Sequence, residues 1–217
     1  MITWLSWGNE ESRSRSFEPA GGTLPLRAVF WSCRINGDVM LDLKSLWNKA
    51  LTFDAFVAEC KAEHCGLWQG LYQLARIPAW ALEAVPPTAG RKLLVIAEDW
   101  CGDASNTVPV IAKLADMAPG LELRVLQRDE NPELMNQYLT NGTRSIPIVI
   151  ALDDEFQEVG HWGPRPSQLQ AWVMANRSTT PKSELYPQVR KWYARDRGET
   201  TVREVLQAAG LTVAKVA

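Results

Sequence analysis

The sequence contains few of the residues that build metal sites and disulfide scaffolds. Among its 217 residues there are only four cysteines and two histidines. Four cysteines in a chain of this length do not form the dense disulfide framework of a small secreted domain. No Ser-His-Asp arrangement can be argued from the two histidines, His64 and His161, and with so few histidines the chain makes a poor zinc site. The sequence therefore predicts reduced thiols and a cytoplasmic location.

Long apolar runs and a large excess of one charge are also missing. No apolar run approaches the ~20 residues that cross a membrane. Residues 1–16 include Glu10 and Glu11 and lack the continuous apolar core of a secretory signal. The net charge is −2, which argues against nucleic acid and anionic membranes as main partners. With 46% hydrophobic and 22% charged residues, the composition is that of an ordinary globular protein.

Composition and periodicity divide the chain into four segments. Residues 1–45 are rich in serine, arginine, glycine and proline, and predict a poorly ordered extension. A second hypothesis is that translation starts at Met40, because a coherent helical pattern begins just after it; the intact mass of the native protein tests this. The other segments are a helical lead-in, an α/β domain and a C-terminal helical appendage, at residues 46–90, 91–178 and 179–217.

Capping signals and alternating patterns place the elements within these segments. Thr52 predicts the N-cap of the first lead-in helix, and Gly66 is predicted to interrupt that helix. Ser167 is predicted to cap a later helix, and Thr201 with Glu204 predicts a capping box. The α/β segment predicts strand, helix, strand, helix, strand, strand and helix in that order. This order is typical of a central mixed sheet flanked by helices.

Cys101 lies in a position that is typical of a reactive thiol. It follows an apolar strand at Leu93–Ala97 and precedes a helical pattern that runs from about Ala104 to Met117. The thiol is therefore predicted at the first turn of a helix, where unpaired N–H groups and the helix dipole favour a thiolate. We predict an exposed, reactive cysteine. The alternative is a buried structural thiol, as free cysteines often are.

Two neighbours of this thiol each allow two interpretations. Asp103 is either the N-cap of the helix or a proton acceptor for an incoming thiol, and in both cases its charge opposes a thiolate nearby. Trp100 is either an apolar platform beside the sulfur or simple surface packing. With Gly102, these residues are predicted to support the site around Cys101.

Several features, taken in order, resemble the thioredoxin superfamily over about residues 92–176. They are Trp100-Cys101-Gly102, Pro109, Arg144-Ser145-Ile146-Pro147 and Val159-Gly160. The wider sequence is similar to a bacterial branch whose active site is Trp-Cys-Gly-Asp-Ala. Its other recurring stretches here are Arg128–Asn131, Gly163–Pro166 and Trp192–Ala194. The resemblance implies a thioredoxin-like fold for residues 91–178 and a cis Pro147 beside Cys101. It also implies that substrate backbone pairs with Ile146 as an added strand.

Two departures from the dithiol enzymes of that superfamily indicate monothiol chemistry. Ala104 stands where the resemblance places a resolving cysteine, and Val95 stands where those enzymes keep a buried carboxylate. Without a second thiol to deprotonate, such a carboxylate has no task. The residues near Cys101 therefore cannot complete an intramolecular dithiol cycle.

The remaining cysteines and a basic cluster are given no part in the chemistry of the site. Cys60 and Cys65 flank His64, which allows a metal clip, helix packing or a resolving thiol; helix packing is favoured and no metal site is predicted. Cys33 lies in the extension and receives no role. A basic cluster in the last segment is predicted to be a solvated face. It consists of Arg190, Lys191, Arg195 and Arg197.

The favoured function is thiol–disulfide exchange, in which Cys101 forms a mixed disulfide with a protein or small-molecule disulfide. An external thiol such as glutathione, or a distant cysteine, then resolves it, and no tightly bound cofactor is expected. The alternative is a redox-silent binding module that uses a groove of Trp100, Ile146 and Pro147. Peroxide chemistry ranks last, because the sequence shows no threonine and arginine constellation around Cys101. The sequence leaves the oligomeric state open.

Overall fold

A four-stranded sheet surrounded by helices forms the centre of the computed structural model, which describes residues 41–212. In chain order the elements are α1 (Leu43–Lys49), α2 (Phe53–Glu59), α3 (Ala62–Leu74), α4 (Ala79–Glu83), β1 (Arg91–Ala97), α5 (Gly102–Met117), β2 (Leu121–Gln127), α6 (Pro132–Gln137), β3 (Ile148–Leu152), β4 (Glu158–Trp162), α7 (Ser167–Asn176), α8 (Lys182–Asp196) and α9 (Glu199–Ala208). Most of the predicted extension, Met40 and Cys33 lie outside the described residues.

The sheet is mixed and has the strand order β2-β1-β3-β4. Strand β1 runs parallel to β2, and it runs antiparallel to β3, so that Val95 pairs with Val125 on one side and with Val149 on the other. Strand β4 pairs antiparallel with β3 at the edge. Residues Leu93–Ala97 of β1 have no exposed surface, because helices cover both faces of a central strand. The predicted central mixed sheet flanked by helices is confirmed.

Helix α5 follows β1 and carries the largest buried face of any helix in the described chain. Val108, Ile111 and Leu114 recur at helical spacing and are completely buried. Pro109 lies inside the helix, where it cannot donate the backbone hydrogen bond that an ordinary residue would make. The buried face holds α5 against α3, β2 and α9, and so fixes the position of its N-terminal turn.

Thr52 caps a helix as predicted, but the lead-in begins earlier and breaks elsewhere, because α1 (Leu43–Lys49) starts inside the stretch predicted as a poorly ordered extension. The Thr52 side chain caps α2 by accepting a hydrogen bond from the Ala55 N–H at 3.2 Å. The predicted interruption at Gly66 is wrong, because α3 continues through that residue. The chain instead leaves the helical conformation at Cys60 and Lys61, which adopt ψ angles near 144° and 143°.

A buried tryptophan ties this lead-in to the sheet. Trp68 of α3 has no exposed surface, and its ring centroid lies 5.0 Å from that of Phe56. Its indole N–H donates to the carbonyl of Asp99 at 2.9 Å. Asp99 lies in the turn between β1 and α5, so the lead-in supports the turn that precedes Cys101.

Two predicted caps in the C-terminal half are wrong. Ser167 is the first residue of α7 rather than its cap, and α9 begins at Glu199, before Thr201. Both oxygens of the Glu204 carboxylate accept the Ser167 backbone N–H, each at 3.0 Å. Glu204 therefore caps another helix instead of its own, and Thr201 is fully buried in α9.

Helix α9 packs against the sheet and α5, and α8 packs against α7. Val205 and Ala209 are buried with the strands in the main hydrophobic core, and α9 contacts both α5 and β4. Residues 41–212 thus belong to one compact unit. Within this described part of the chain, no helix has both the length and the apolar character needed to span a bilayer.

Candidate functional site

Cys101 occupies the N-cap position of α5. Strand β1 ends at Ala97, and a short turn returns the chain so that the Cys101 N–H donates to the Glu98 carbonyl at 3.1 Å. The Cys101 carbonyl then accepts the Ser105 N–H at 2.9 Å, which starts the helix. The sequence-based placement of the thiol at a helix N-terminus agrees with this geometry.

The predicted exposure of Cys101 is wrong, because only 8% of the residue is exposed. Its Sγ donates a hydrogen bond to the carbonyl oxygen of Ile146 at 3.5 Å. Val189 and Tyr186 of α8 line the same cavity as the sulfur. The loop before β3 and helix α8 therefore cover a turn that would otherwise lie at the surface.

Burial also works against the predicted thiolate. Loss of hydration raises the pKa of Cys101 above its ordinary value, and the nearby charge of Asp103 adds to the increase. The backbone N–H groups of Ala104 and Asp103 and the guanidinium of Arg165 lower the pKa, but they do not offset burial. The resting thiol is therefore protonated at neutral pH.

Asp103 is the second residue of α5 and not its N-cap, as one interpretation of the sequence held. The residue is buried, and its carboxylate lies 2.5 Å from a guanidinium nitrogen of Arg165. The Tyr193 hydroxyl donates to the other carboxylate oxygen at 2.9 Å. A buried carboxylate needs such partners, since unpaired it is costly. These contacts join α5 to α8 and to the loop before α7.

Trp100 lies at the mouth of the cavity and is 47% exposed. The Arg128 guanidinium carbon lies 4.9 Å from the centroid of a Trp100 ring, which is a cation–π distance. Arg128 also donates to the carbonyl of Arg144 at 3.4 Å. The exposed indole is thus held beside Cys101 and presents an apolar surface to the cavity.

The loop that carries Pro147 approaches the sulfur closely. The peptide bond between Ile146 and Pro147 is cis, and both residues are buried. Gly163 lies against this loop with φ +133°, and a β-carbon there would lie 2.2 Å from the Pro147 carbonyl oxygen. Only glycine allows this approach, so Gly163 fixes the loop that faces Cys101.

A cavity of about 500 Å³ collects the site residues. Every site residue predicted from the sequence lines it except Pro147, which lies next to the lining residue Ile146. The sequence did not identify the arginines of this cavity. They are Arg128, Arg144, Arg165 and Arg190.

The sequence contains only weak signs that these arginines line the cavity. Arg128, Arg144 and Arg165 fall in stretches that carry the family resemblance, but no spacing in the sequence indicates that their side chains meet. Arg190 was assigned to a solvated face together with Lys191. The structure places Arg190 at the cavity of Cys101 and Lys191 at a different cavity, between α7 and α8.

Comparison with known proteins agrees with this geometry. A family model described as thioredoxin matches residues 50–182, which is more than half of the chain. The chain belongs to the thioredoxin family. The matched range covers α2 through α7 and includes Cys101, Ala104 and Pro147. A search among curated proteins finds no match.

Two solved structures share this thioredoxin-like fold. A crystal structure of an HIV epitope-scaffold is 21% identical, with a TM-score of 0.61, and the match covers 77% of this chain and 96% of that one. A 1.5 Å crystal structure of a protein of unknown function from Pseudomonas aeruginosa is 22% identical, with a TM-score of 0.55, covering 76% and 98%. At this level of identity the likeness shows the fold alone.

Ala104 occupies the position at which the resemblance to dithiol thioredoxins would place a second cysteine. Ala104, three residues after Cys101, is completely buried in α5. Cys60, Cys65 and Cys101 are all free thiols in the described chain. Any second sulfur must therefore come from elsewhere in the chain or from another molecule.

Cys60, His64 and Cys65 belong to two helices and not to one. Cys60 ends α2, and its thiol donates to the Phe56 carbonyl at 3.4 Å, whereas His64 belongs to α3 and lies 3.1 Å from the Asp99 carboxylate. No group of three or more potential metal ligands forms among residues 41–212. Burial, with the nearby charge of Asp99, raises the pKa of Cys60 to about 11.

Proposed function

We propose that this thioredoxin-fold protein is a monothiol thiol–disulfide oxidoreductase that acts through Cys101. The observation that carries the proposal is the placement of this thiol. It lies at the N-terminus of α5, hydrogen-bonded to the loop of the cis Pro147 and facing a cavity of about 500 Å³. A purely structural cysteine has no need of a cavity that holds a small molecule.

The reaction consists of two exchanges at one sulfur. The Cys101 thiolate attacks one sulfur of a mixed disulfide, forms a new S–S bond and releases the other sulfur as a thiolate, which takes up a proton. An external thiolate then attacks the Cys101 disulfide, forms a second small disulfide and regenerates the Cys101 thiolate. Each cycle reduces one substrate disulfide and consumes one external thiol, because the second sulfur of the small disulfide released comes from the substrate.

Activation of the resting thiol follows from its hydrogen bond. The Ile146 carbonyl accepts from the protonated sulfur, which stabilises the neutral form. Substrate backbone that pairs with Ile146 as an added strand competes for this carbonyl. With that acceptor occupied, the N–H groups of Asp103 and Ala104 and the charge of Arg165 act on the sulfur and favour its thiolate.

The resolving thiol is proposed to be external. Ala104 supplies no sulfur, and a thiol with a pKa of about 11 such as Cys60 holds very little thiolate at neutral pH. A small thiol such as glutathione, in a reducing cytoplasm, provides the second electron pair. The substrates are then protein or small-molecule disulfides, with no tightly bound cofactor.

A single-cysteine comparison tests the proposal. The rate at which glutathione reduces a peptide–glutathione mixed disulfide is measured with the wild type, Cys101→Ser and Cys65→Ser. We expect the wild type and Cys65→Ser to accelerate the reaction equally. Cys101→Ser removes the nucleophile and is expected to give the uncatalysed rate, because a serine hydroxyl is not ionised at neutral pH. Cys65 is a suitable control because it is a free, half-buried thiol outside the cavity.

Two results contradict the proposal. Acceleration that survives in Cys101→Ser assigns the chemistry to another residue. Absence of acceleration in the folded wild type, with unchanged binding of a peptide in both proteins, supports the redox-silent binding module instead.

A further inference from the structure

The cavity around Cys101 concentrates positive charge in a chain whose net charge is −2. Its lining contains four arginines and one carboxylate, that of Asp103. The arginines come from four separate parts of the fold: the end of β2, the loop before β3, the loop before α7, and α8. Their convergence on one small space is not a consequence of local sequence.

Two of these arginines are neutralised within the protein. Arg165 pairs with Asp103 at 2.5 Å, and Arg128 pairs with Asp129 at 2.7 Å. Even so, the buried Nε of Arg165 has no hydrogen-bond partner among residues 41–212. The Arg165 guanidinium nevertheless balances the charge of the buried Asp103 carboxylate before any ligand enters.

The other two arginines keep their charge available. Arg144 donates to the neutral side chain of Asn136 at 2.9 Å, and it forms no salt bridge with a described residue. Arg190 is exposed on α8 and likewise has no salt bridge within the described part of the chain. A cavity with two unneutralised guanidinium groups favours an anionic occupant.

We infer that this cavity binds a low-molecular-weight thiol that carries carboxylates, and that Arg144 and Arg190 hold those carboxylates while its sulfur faces Cys101. The inference rests on the proposed function and adds to it the class of the small thiol. Guanidinium groups match carboxylates in geometry, since two parallel N–H groups meet two oxygens.

The size and walls of the cavity fit such a molecule. A volume of about 500 Å³ lies within the range of small-molecule sites and is too small for a folded protein domain or a nucleic acid chain. Trp100 and Tyr186 are each 47% exposed at its edge and offer apolar surface to the ligand's backbone. Positive charge, apolar walls and a thiol together describe a site for a charged thiol of peptide size.

A binding experiment with an unreactive analogue tests the inference independently of turnover. S-methylglutathione carries the carboxylates but has no thiol, and its dimethyl ester has the same skeleton with both carboxylates neutralised. Isothermal titration calorimetry is performed with the wild type, Arg144→Gln, Arg190→Gln and the double variant. Arg177→Gln is the matched control, because Arg177 is an exposed arginine at the end of α7 outside the cavity.

We expect the wild type and Arg177→Gln to bind the analogue equally and to bind its ester at least about tenfold more weakly. Each cavity variant is expected to lose about tenfold in affinity, and added salt should weaken wild-type binding. The inference is overturned if the wild type does not bind the analogue, if the ester binds as well, or if the double variant retains full affinity. Binding without any catalysed exchange would refute the proposed function alone.

Discussion

At the scale of single residues, two opposing effects set the pKa of Cys101: burial raises it and the N-terminus of α5 lowers it. The N–H groups at the start of α5 and the Arg165 charge favour the thiolate, but burial dominates and raises the pKa of the thiol. The sequence indicates the helix N-terminus and the opposing charge of Asp103, but it indicates neither Arg165 nor the burial of the thiol. In the function proposed above, a thiol that is protonated at rest and activated only when substrate binds is protected from unwanted oxidation.

The pH dependence of alkylation measures the pKa of Cys101, and so shows which of these two effects is larger. In a variant that keeps Cys101 as its sole cysteine, we expect the alkylation rate of the folded protein to rise with an inflection above ~8.5. The same variant in denaturant is the matched control and should show the inflection of a free thiol. A folded-state inflection well below that of the unfolded protein would contradict the account.

The same shift has a consequence for stability. A thiol whose pKa is raised by folding keeps its proton to a higher pH in the folded protein than in the unfolded chain. Its contribution to stability is therefore complete below the unfolded pKa and is lost as the pH rises from that value towards the folded pKa. The loss falls in the alkaline range, because burial raises the pKa of Cys101 from an ordinary value that is already alkaline.

At the scale of elements, side chains from the C-terminal helices complete structures that begin elsewhere in the chain. Tyr193 of α8 donates to the buried Asp103 of α5. Glu204 of α9 accepts the backbone N–H and the hydroxyl of Ser167 at the start of α7, and also the indole N–H of Trp162 at 2.7 Å. These helices are thus fixed to the domain by directed polar contacts as well as by apolar packing.

The substitution Glu204→Gln tests this arrangement. An amide supplies one acceptor oxygen and no charge, so it cannot accept all three donors, which are the Ser167 N–H, the Ser167 hydroxyl and the Trp162 indole N–H. We expect a loss of about 1–3 kcal/mol in the free energy of unfolding, measured by urea denaturation.

Glu199→Gln is its control on the same helix. Glu199 is exposed and forms a 3.5 Å pair with Arg203, a contact worth only about 0.5 kcal/mol. Equal, small losses in the two variants would show that the Glu204 contacts contribute no more than an ordinary surface pair.

At the scale of the whole molecule, the sequence predicts the sheet and its flanking helices because those features follow from local periodicity. The apolar run Leu93–Ala97 lies within a single strand. The spacing of Val108, Ile111 and Leu114 lies within a single helix, so both patterns can be read from a short stretch of sequence. The position of Cys101 before α5 depends on the same local pattern. These parts of the fold needed no knowledge of distant contacts.

The features that the sequence missed depend on contacts between distant residues. Burial of Cys101 comes from the loop at Ile146 and from α8, which are 45 or more residues away in the chain. The partners of Asp103 and Glu204 also lie far away in the chain, so local capping rules gave Glu204 the wrong helix and could not show that Asp103 is buried in an ion pair. The arginine-lined cavity is assembled from four elements, and no single stretch of sequence indicates it.

The most direct test of the account is whether folded protein forms a mixed disulfide at Cys101. The variant that keeps Cys101 as its sole cysteine is incubated with glutathione disulfide, and its intact mass is measured before and after addition of free glutathione. We expect one glutathione moiety on Cys101 and its complete release by free glutathione. Folded protein that gains no adduct, under conditions in which the unfolded chain does, would contradict thiol–disulfide exchange at this site.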